Sequence, residues 1–353
     1  MIDGAEVTDM LKRYTNAWTV VFCLCALPLH AQHRDAGRTL FGFMNISYDA
    51  RTVALAGASV ALPNDCYGIF SNPGALGYVN SMQAVAGYRP VGTGVYGSPL
   101  AYALPQKGMG VFGAGVYGLT SGNVAVTDVG PDGGVLFTDG FSRVDNVAGS
   151  AVWAGKVNDY FSVGAAVKGF YTSIKGFEDG SSVRWSADGF AGDAGVQCRF
   201  MNSRLIYGFV ARNIGFIRSG YEKNDSGYSL PFGVDIGVSY VPRYIENLRV
   251  VLDLSKKNND YLSFKPGTEW ELLEKQLVVR AGYSFSWRDL LAFKKTLSGE
   301  SDAAYIKSSM VGICLGVGFI TEIVGRKMHF DTAAEFLTLP VMPALVFSML
   351  VNI

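Results

Sequence analysis

The chain of 353 residues carries 30 basic and 30 acidic side chains, only 17% charged residues, and 43 Gly, 18 Tyr and 22 Phe. Balanced charge leaves no basic field to hold phosphates, which sets nucleic acid aside as a partner. After residue 31 no stretch offers the roughly 20 unbroken apolar residues of a spanning helix, which argues against a helical membrane protein.

Residues 1–31 read as a signal peptide. Lys12 and Arg13 form a basic start, Ala17–Leu29 an apolar core, and Leu29-His30-Ala31 a cleavage site before Gln32. Met10 is an alternative start, because Met1–Asp9 adds acidic residues that signals rarely carry. The core is short for a retained anchor. Cys23 and Cys25 lie inside it and lack the small neighbours of a lipoprotein site. Removal of the signal leaves Cys66, Cys198 and Cys314, too scattered for a disulfide framework. No CxxC or Cys/His cluster points to a metal.

Residues 32–81 are rich in Gly, Ala, Asn, Asp and Pro and lack alternation. The Ala, Leu and Val content of Thr52–Leu62 favours a packed plug over a loose tail. The expectation is a plug folded into the periplasmic mouth of a wide barrel, whose lumen otherwise leaves an open water path.

From Met82 to Ile353 the pattern changes to a period of two. Val234, Ile236, Val238 and Tyr240 share one face, against Asp235, Gly237 and Ser239 on the other. Leu248, Val250, Leu252 and Leu254 likewise oppose Arg249, Asp253 and Ser255. About fourteen such segments follow, from 82–90 to 344–353. The predicted fold class is all-β: a transmembrane antiparallel β-barrel over 82–353 behind an N-terminal hatch (32–81), with its greasy face on lipid. The segment 203–213 is a poorer strand, since Arg204, Ile206, Val210 and Arg212 share a face.

Connection lengths support this. Short links at 105–107, 156–159, 200–202 and 273–274 alternate with longer ones at 119–140, 213–230, 257–263 and 288–308. Short and long rims are expected of periplasmic and external ends. The links at 91–93 and 338–343 are exceptions. Phe216, Ile217 and Tyr221 are placed in one long loop and Leu290, Leu291 and Phe293 in another. There they either collect lipid or tuck onto the rim.

The plug holds Ala50-Arg51, Gly57-Ala58, Asn64-Asp65, and Asn72-Pro73-Gly74-Ala75-Leu76 shortly before the first strand. This resembles the hatch motif of FadL-like outer-membrane proteins and of the related PorV/PorQ family, with Gly and Ala exchanged after Pro73 and one Asp of the acidic turn replaced by Asn64. The chain is also similar to the FadL-like paralogues of spirochaete outer membranes. The resemblance implies a fourteen-stranded plugged barrel in the bacterial outer membrane, with Asp65, Asn72, Pro73 and Gly74 as hatch motif residues. It implies passive uptake of long-chain fatty acids or other hydrophobic small molecules. The PorV/PorQ branch implies instead an accessory or docking role in type IX protein secretion. Outer-membrane lipid and the outer-membrane insertion machinery are the implied partners, and no cofactor is expected.

An enzyme is not expected. His30, His33 and His329 are the only histidines, and no G-x-S-x-G elbow is present. His329 is expected to join Asp331 and Glu335 in a lumen charge network. Lys168, Arg212, Arg249, Asp253, Glu269, Glu271, Arg280, Asp331 and Glu335 fall on candidate lumen faces. They either pair with one another, or one cation meets a fatty-acid carboxylate; the sequence does not assign which.

Overall fold

The computed structural model describes residues 39–63, 65–92, 94–129, 135–178, 181–221, 228–287, 312–336 and 343–353. The signal peptide, His30, His33, Asn64, the loop residues Leu290, Leu291 and Phe293, and most of the link at 338–343 lie outside them.

The strands are β1 (Gln83–Gly92), β2 (Val95–Gln106), β3 (Gly110–Thr120), β4 (Val124–Val129) and β5 (Val135–Lys156). They continue with β6 (Phe161–Glu178), β7 (Ser181–Phe200), β8 (Leu205–Ser219), β9 (Gly233–Tyr240), β10 (Leu248–Lys257) and β11 (Ser263–Leu272). The last are β12 (Leu277–Tyr283), β13 (Phe285–Ser286), β14 (Ile313–Ile323), β15 (Arg326–Phe336) and β16 (Ala344–Asn352). Each pairs antiparallel with its neighbour, and β1 closes on β16. Two strands stand outside the ring: β4 pairs with β5, and β13 follows β12 past Ser284 to pair with β11. Fourteen strands thus form a closed barrel, which leaves no sheet edge along the wall.

The wall is inverted relative to a soluble protein. On β9 and β10 Asp235, Ser239, Asp253 and Ser255 are buried, along with Val251, whereas Val250 and Leu252 are exposed. Leu100, Val167, Trp270, Phe319 and Phe347 are also exposed on the outside. A continuous outer band of this kind needs an apolar solvent, and lipid supplies it. The architecture is that of a bacterial outer-membrane barrel. Among the described residues no helix is long and apolar enough to cross a membrane.

Two elements differ from the sequence expectation. The link at 119–140 contains β4 and the start of β5, which form a hairpin. β5, β6 and β7 run for 22, 18 and 20 residues, where about 9–11 cross a bilayer. Their outer ends therefore project as a sheet in water. No lipid imposes alternation there, so the pattern that marks the wall stops at the membrane.

The second difference is at 213–219, which continues β8 rather than starting a loop. Phe216 and Ile217 lie in that strand. The register shifts between Gly192 and Ala194, opposite Asn213. Asn213 adopts φ +58°, and its N–H donates to Asp193 Oδ1 at 2.8 Å. Asn accepts that backbone more readily than most residues. The bulge inverts the faces: Ile206 and Val210 point inward before it, and Ile214 and Phe216 outward after it. Ahead of the bulge, Ile206 and Val210 face inward on the same side as Arg212, so 203–213 shows a mixed face and reads as a poor strand.

Leu100 is 58% exposed in mid-β2. Leu100→Arg should destabilise the protein in vesicles by about 2–4 kcal/mol, the cost of a charge on the lipid face. Urea midpoints in bilayers measure this, with Leu100→Ala as the reference. Equal midpoints would mean that this face is in water.

Candidate functional site

The described residues of 39–81 pack against the inner face of the wall and have little regular structure: a helix at Ala50–Ala54 and short 3-10 turns at Gly42–Asn45, Cys66–Ile69 and Pro73–Tyr78. Such a segment bonds part of its backbone within its own turns and must find partners for the rest outside itself. The wall supplies them.

At one end Thr39 bridges Ser229, in the connection between β8 and β9, and Leu40 N donates to Ser229 O at 3.2 Å. Phe41, Phe43, Met44 and Tyr48 then pack with Tyr117, Phe170 and Leu230. The rings of Phe41 and Phe170 are 4.5 Å apart and those of Tyr48 and Tyr117 5.0 Å. Ile217 and Tyr221 join this cluster. At the other end Tyr78 lies under the Arg199 guanidinium, 3.6 Å from its ring, with Lys156 on the periplasmic rim nearby. The segment therefore spans the lumen from the outer connection to the inner rim, further than a plug in the periplasmic mouth. Leu40 to Met44 find burial in the outer aromatic patch.

The middle of the segment is seated by charge. Asp49 caps the helix, accepting from Thr52 N at 2.7 Å, and burial pushes its carboxyl up to about 6. Arg51 donates from Nε and Nη2 to the two oxygens of Glu269 on β11, both at 2.9 Å, and its Nη1 pairs with Asp65. Arg280 on β12 donates to Glu269 at 2.7 Å and to Asp331 on β15 at 2.5 Å. Two guanidinium groups thus alternate with three carboxylates. Burial raises the Asp65 carboxyl, and Arg51 opposes that. Asp65 also accepts from Tyr67 N at 3.0 Å.

Other wall groups hold backbone. Asp253 Oδ2 accepts from Ser59 N at 2.6 Å and Val60 N at 2.9 Å. Gln197 donates to Leu62 O at 2.9 Å, and Ser348 Oγ accepts from Ala50 N at 3.0 Å. Asn72 donates to Val60 O at 2.8 Å and Val196 O at 3.1 Å, and its Oδ1 accepts from Gly74 N at 3.0 Å. Pro73 opens the last 3-10 turn, where its missing N–H costs nothing. Close approach explains two glycines here. A Cβ on Gly164 would lie 2.5 Å from the Pro73 carbonyl, and one on Gly74 2.8 Å from Gly195 O.

The four motif residues therefore occupy two seats. Asn72, Pro73 and Gly74 lie against β6 and β7, and Asp65 lies with Arg51 against β11. Sequence reading singled out none of Arg51, Gln197 and Asp253 as seats. The charge pattern offered one signal: Glu269 and Arg280 are opposite each other on adjacent strands.

The expected His329 network is not formed as such. Asp331 meets Arg280, Glu335 pairs with Arg89, and His329 hydrogen-bonds to neither. Guanidinium groups already fill the cationic role. Lys168 pairs with Asp193 at 2.5 Å, Arg212 with Asp235, and Arg249 donates to Ser239 at 2.8 Å. Among the described residues Lys257 and Lys265 make no ion pair. Lys257 and Arg212 both lie opposite Gly233, one on each side, so no side chain separates them across β9. Lys265 is opposite Asp253, and its Nζ lies beside Gly57. Arg212, Lys257 and Lys265 make a cationic ledge; Gly233, which Arg212 and Lys257 flank, is three residues along the chain from Leu230 of the aromatic cluster. The three cysteines are free.

On the lipid side an apolar recess of about 730 Å³ is lined by Val250, Pro266, Thr268, Ala281, Tyr283 and Ile313. Its floor includes Gly267 and Gly282, and Leu55 presses on Gly282 from within.

No protein-family model matches the sequence, and no curated protein matches it. Solved structures match the fold. The toluene transporter TbuX of Ralstonia pickettii superposes with a TM-score of 0.58 at 14% identity, over 88% of this chain and 98% of that one. The toluene transporter TodX of Pseudomonas putida gives 0.56 at 12% identity, over 86% and 96%. A Pseudomonas aeruginosa FadL homologue gives 0.52 at 13% identity, over 87% and 98%. The fold is FadL-like.

Arg51→Ala should leave the barrel closed and unseat the segment, because it leaves the buried Asp65 carboxylate without its cation, at a cost of about 3–5 kcal/mol, and cuts the tie to Glu269, which keeps Arg280. Planar-bilayer recordings should show larger conductance than wild type, and Gly164→Val should do the same. Wild-type conductance in both folded variants would mean that these seats do not hold the segment.

Proposed function

We propose that this chain takes up hydrophobic molecules passively across the outer membrane, with residues 39–81 acting as the hatch. The cargo class is long-chain fatty acids. One observation carries the choice: Lys257 and Lys265 have no ion-pair partner beside Arg212, next to an aromatic cluster in the same lumen. A carboxylate completes that ledge, and the aromatic patch takes an alkyl chain. A neutral hydrocarbon such as the toluene carried by TbuX and TodX would leave both lysines unmatched.

In this reading the cargo partitions into the outer lumen and places its head on the ledge. It then competes with Phe41 and Phe43 for apolar contact, and the shifted hatch opens a path inward or through the wall. No cofactor takes part, and no residue is assigned a catalytic role. The barrel class points to assembly by the outer-membrane insertion machinery. Docking in type IX secretion is the second reading, supported by the projecting β4–β7 sheet. The likeness to spirochaete paralogues rests on the motif residues.

Lys257→Gln with Lys265→Gln should weaken binding of a fluorescent long-chain fatty acid to the purified protein about 10-fold or more, as expected for lost charge-assisted bonds. Toluene binding should not change. Equal losses for both ligands, or none for the fatty acid, would overturn the carboxylate assignment. A secretion complex without lipid, copurified from native membrane, would favour docking.

A further inference from the structure

The short connections on the periplasmic rim depart from the usual chemistry of tight turns. Such turns favour Gly, Asn and Asp, which tolerate positive φ and contact with water. Here each of the six connections between described strands on that rim carries a large exposed apolar side chain: Met109, Val157, Met201, Tyr244, Leu273 and Val324. Tyr244 is 96% and Val324 94% exposed. Three of the six hold positive φ: Met201 at 53°, Leu273 at 48° and Val324 at 52°. For a β-branched residue such as Val324 that is strained backbone. Asn or Gly would relax these turns, so the apolar groups stand there against the local backbone preference.

The level of these turns is marked independently. Trp153, exposed on the outer wall, donates from Nε1 to Met109 O at 2.9 Å. Trp270 is exposed three residues before Leu273, and Tyr160 is exposed in the same connection as Val157. Trp and Tyr gather at the membrane–water interface, so the turns share the depth of the headgroups. A cation stands in or beside each turn: Lys107, Lys156, Arg204, Arg243, Lys275 and Arg326. Acidic residues are interspersed, and Arg204 pairs with Glu246 and Lys275 with Glu271, so these are local contacts rather than one basic field.

Geometry selects the partner. The strands follow one another round the barrel in chain order, so the six tips encircle the rim. A protein docking from one side would need a patch. A ring of tips fits a planar surface.

We propose that these turns form a collar set into the headgroup layer of the periplasmic leaflet, with phospholipid as its partner. The apolar tips reach the acyl boundary, and the flanking cations meet headgroup phosphates. The inner mouth then opens at the level of lipid, and apolar cargo leaving it meets lipid before water.

The test places single cysteines at Met201, Leu273 and Val324, on different sectors of the rim, in a protein whose native cysteines are serine. Each is labelled with an environment-sensitive dye and refolded into phosphatidylcholine–phosphatidylglycerol vesicles, with folding verified by heat-modifiable gel mobility. Val157 replaces any position that fails to fold. Spin-labelled lipids carrying the nitroxide at the headgroup should remove most of the emission at all three positions. Iodide, present on both sides of the membrane, should remove little. Strong iodide quenching without lipid quenching would overturn the collar. Lipid quenching at one sector alone would overturn the ring and leave a one-sided patch. The fatty-acid assay above does not bear on this result, so the two readings fail separately.

Discussion

The bidentate contact between Arg51 and Glu269 is the joint on which the filled barrel depends. Among the described residues it is the one bidentate ion pair between the inner segment and the wall, with two bonds each 2.9 Å long. Desolvation makes such a buried pair a weak source of net stability. Its value lies in geometry. Arg51 also holds Asp65, and Glu269 also accepts from Arg280, so one guanidinium fixes two parts of the segment to one sector of wall. Three carboxylates against two guanidinium groups leave no cation spare there.

The rest of the seating follows from a backbone that satisfies itself only in part. The segment has one five-residue helix, short turns and no strand among its described residues, so the N–H and C=O groups left over need outside partners. Asp253 takes two of its N–H groups, and Gln197 and Asn72 donate to its carbonyls. The inward polar residues are therefore more than a water-filled lumen requires. Glycines on the wall do the complementary work, since hydrogen bonds of this length require backbone to approach backbone. Gly164 and Gly195 leave room for Asn72 and Pro73 in this way.

How legible this was from sequence depends on what imposed each pattern. Lipid outside and polar groups inside force a period of two, and the fourteen wall strands could be read from it. Where lipid is absent, as in the β4 hairpin, the pattern has no cause and the strand was missed. At Asn213 the period persists but changes phase, so a window that spans the bulge averages two faces into one. The seats were harder for another reason. Arg51 and Glu269 are 218 residues apart, and nothing local states that they meet. The ledge at Lys257 and Lys265 is harder still, because a missing partner becomes visible only when every neighbouring register is known.

The two ends of the inner segment are held by different physics. From Ala50 to Tyr78 apolar contacts with the wall, such as Ile69 and Leu76 against Val85 and Val152, are joined by charges and directed hydrogen bonds, and an apolar molecule offers nothing to replace the latter. From Leu40 to Tyr48 the contacts are mostly rings and apolar side chains, with Leu40 N bonded to Ser229 O at the outer end. Phe41 there holds φ +64°, an uncommon backbone for a bulky residue. Dispersion and burial are not directional, so an alkyl chain or a ring can take the place of Phe41 against Phe170 at little net cost. The aromatic end is thus open to competition from apolar molecules in a way that the charged seat is not. In the proposed uptake, the cationic ledge near it is the feature that would select among them, by favouring negative charge.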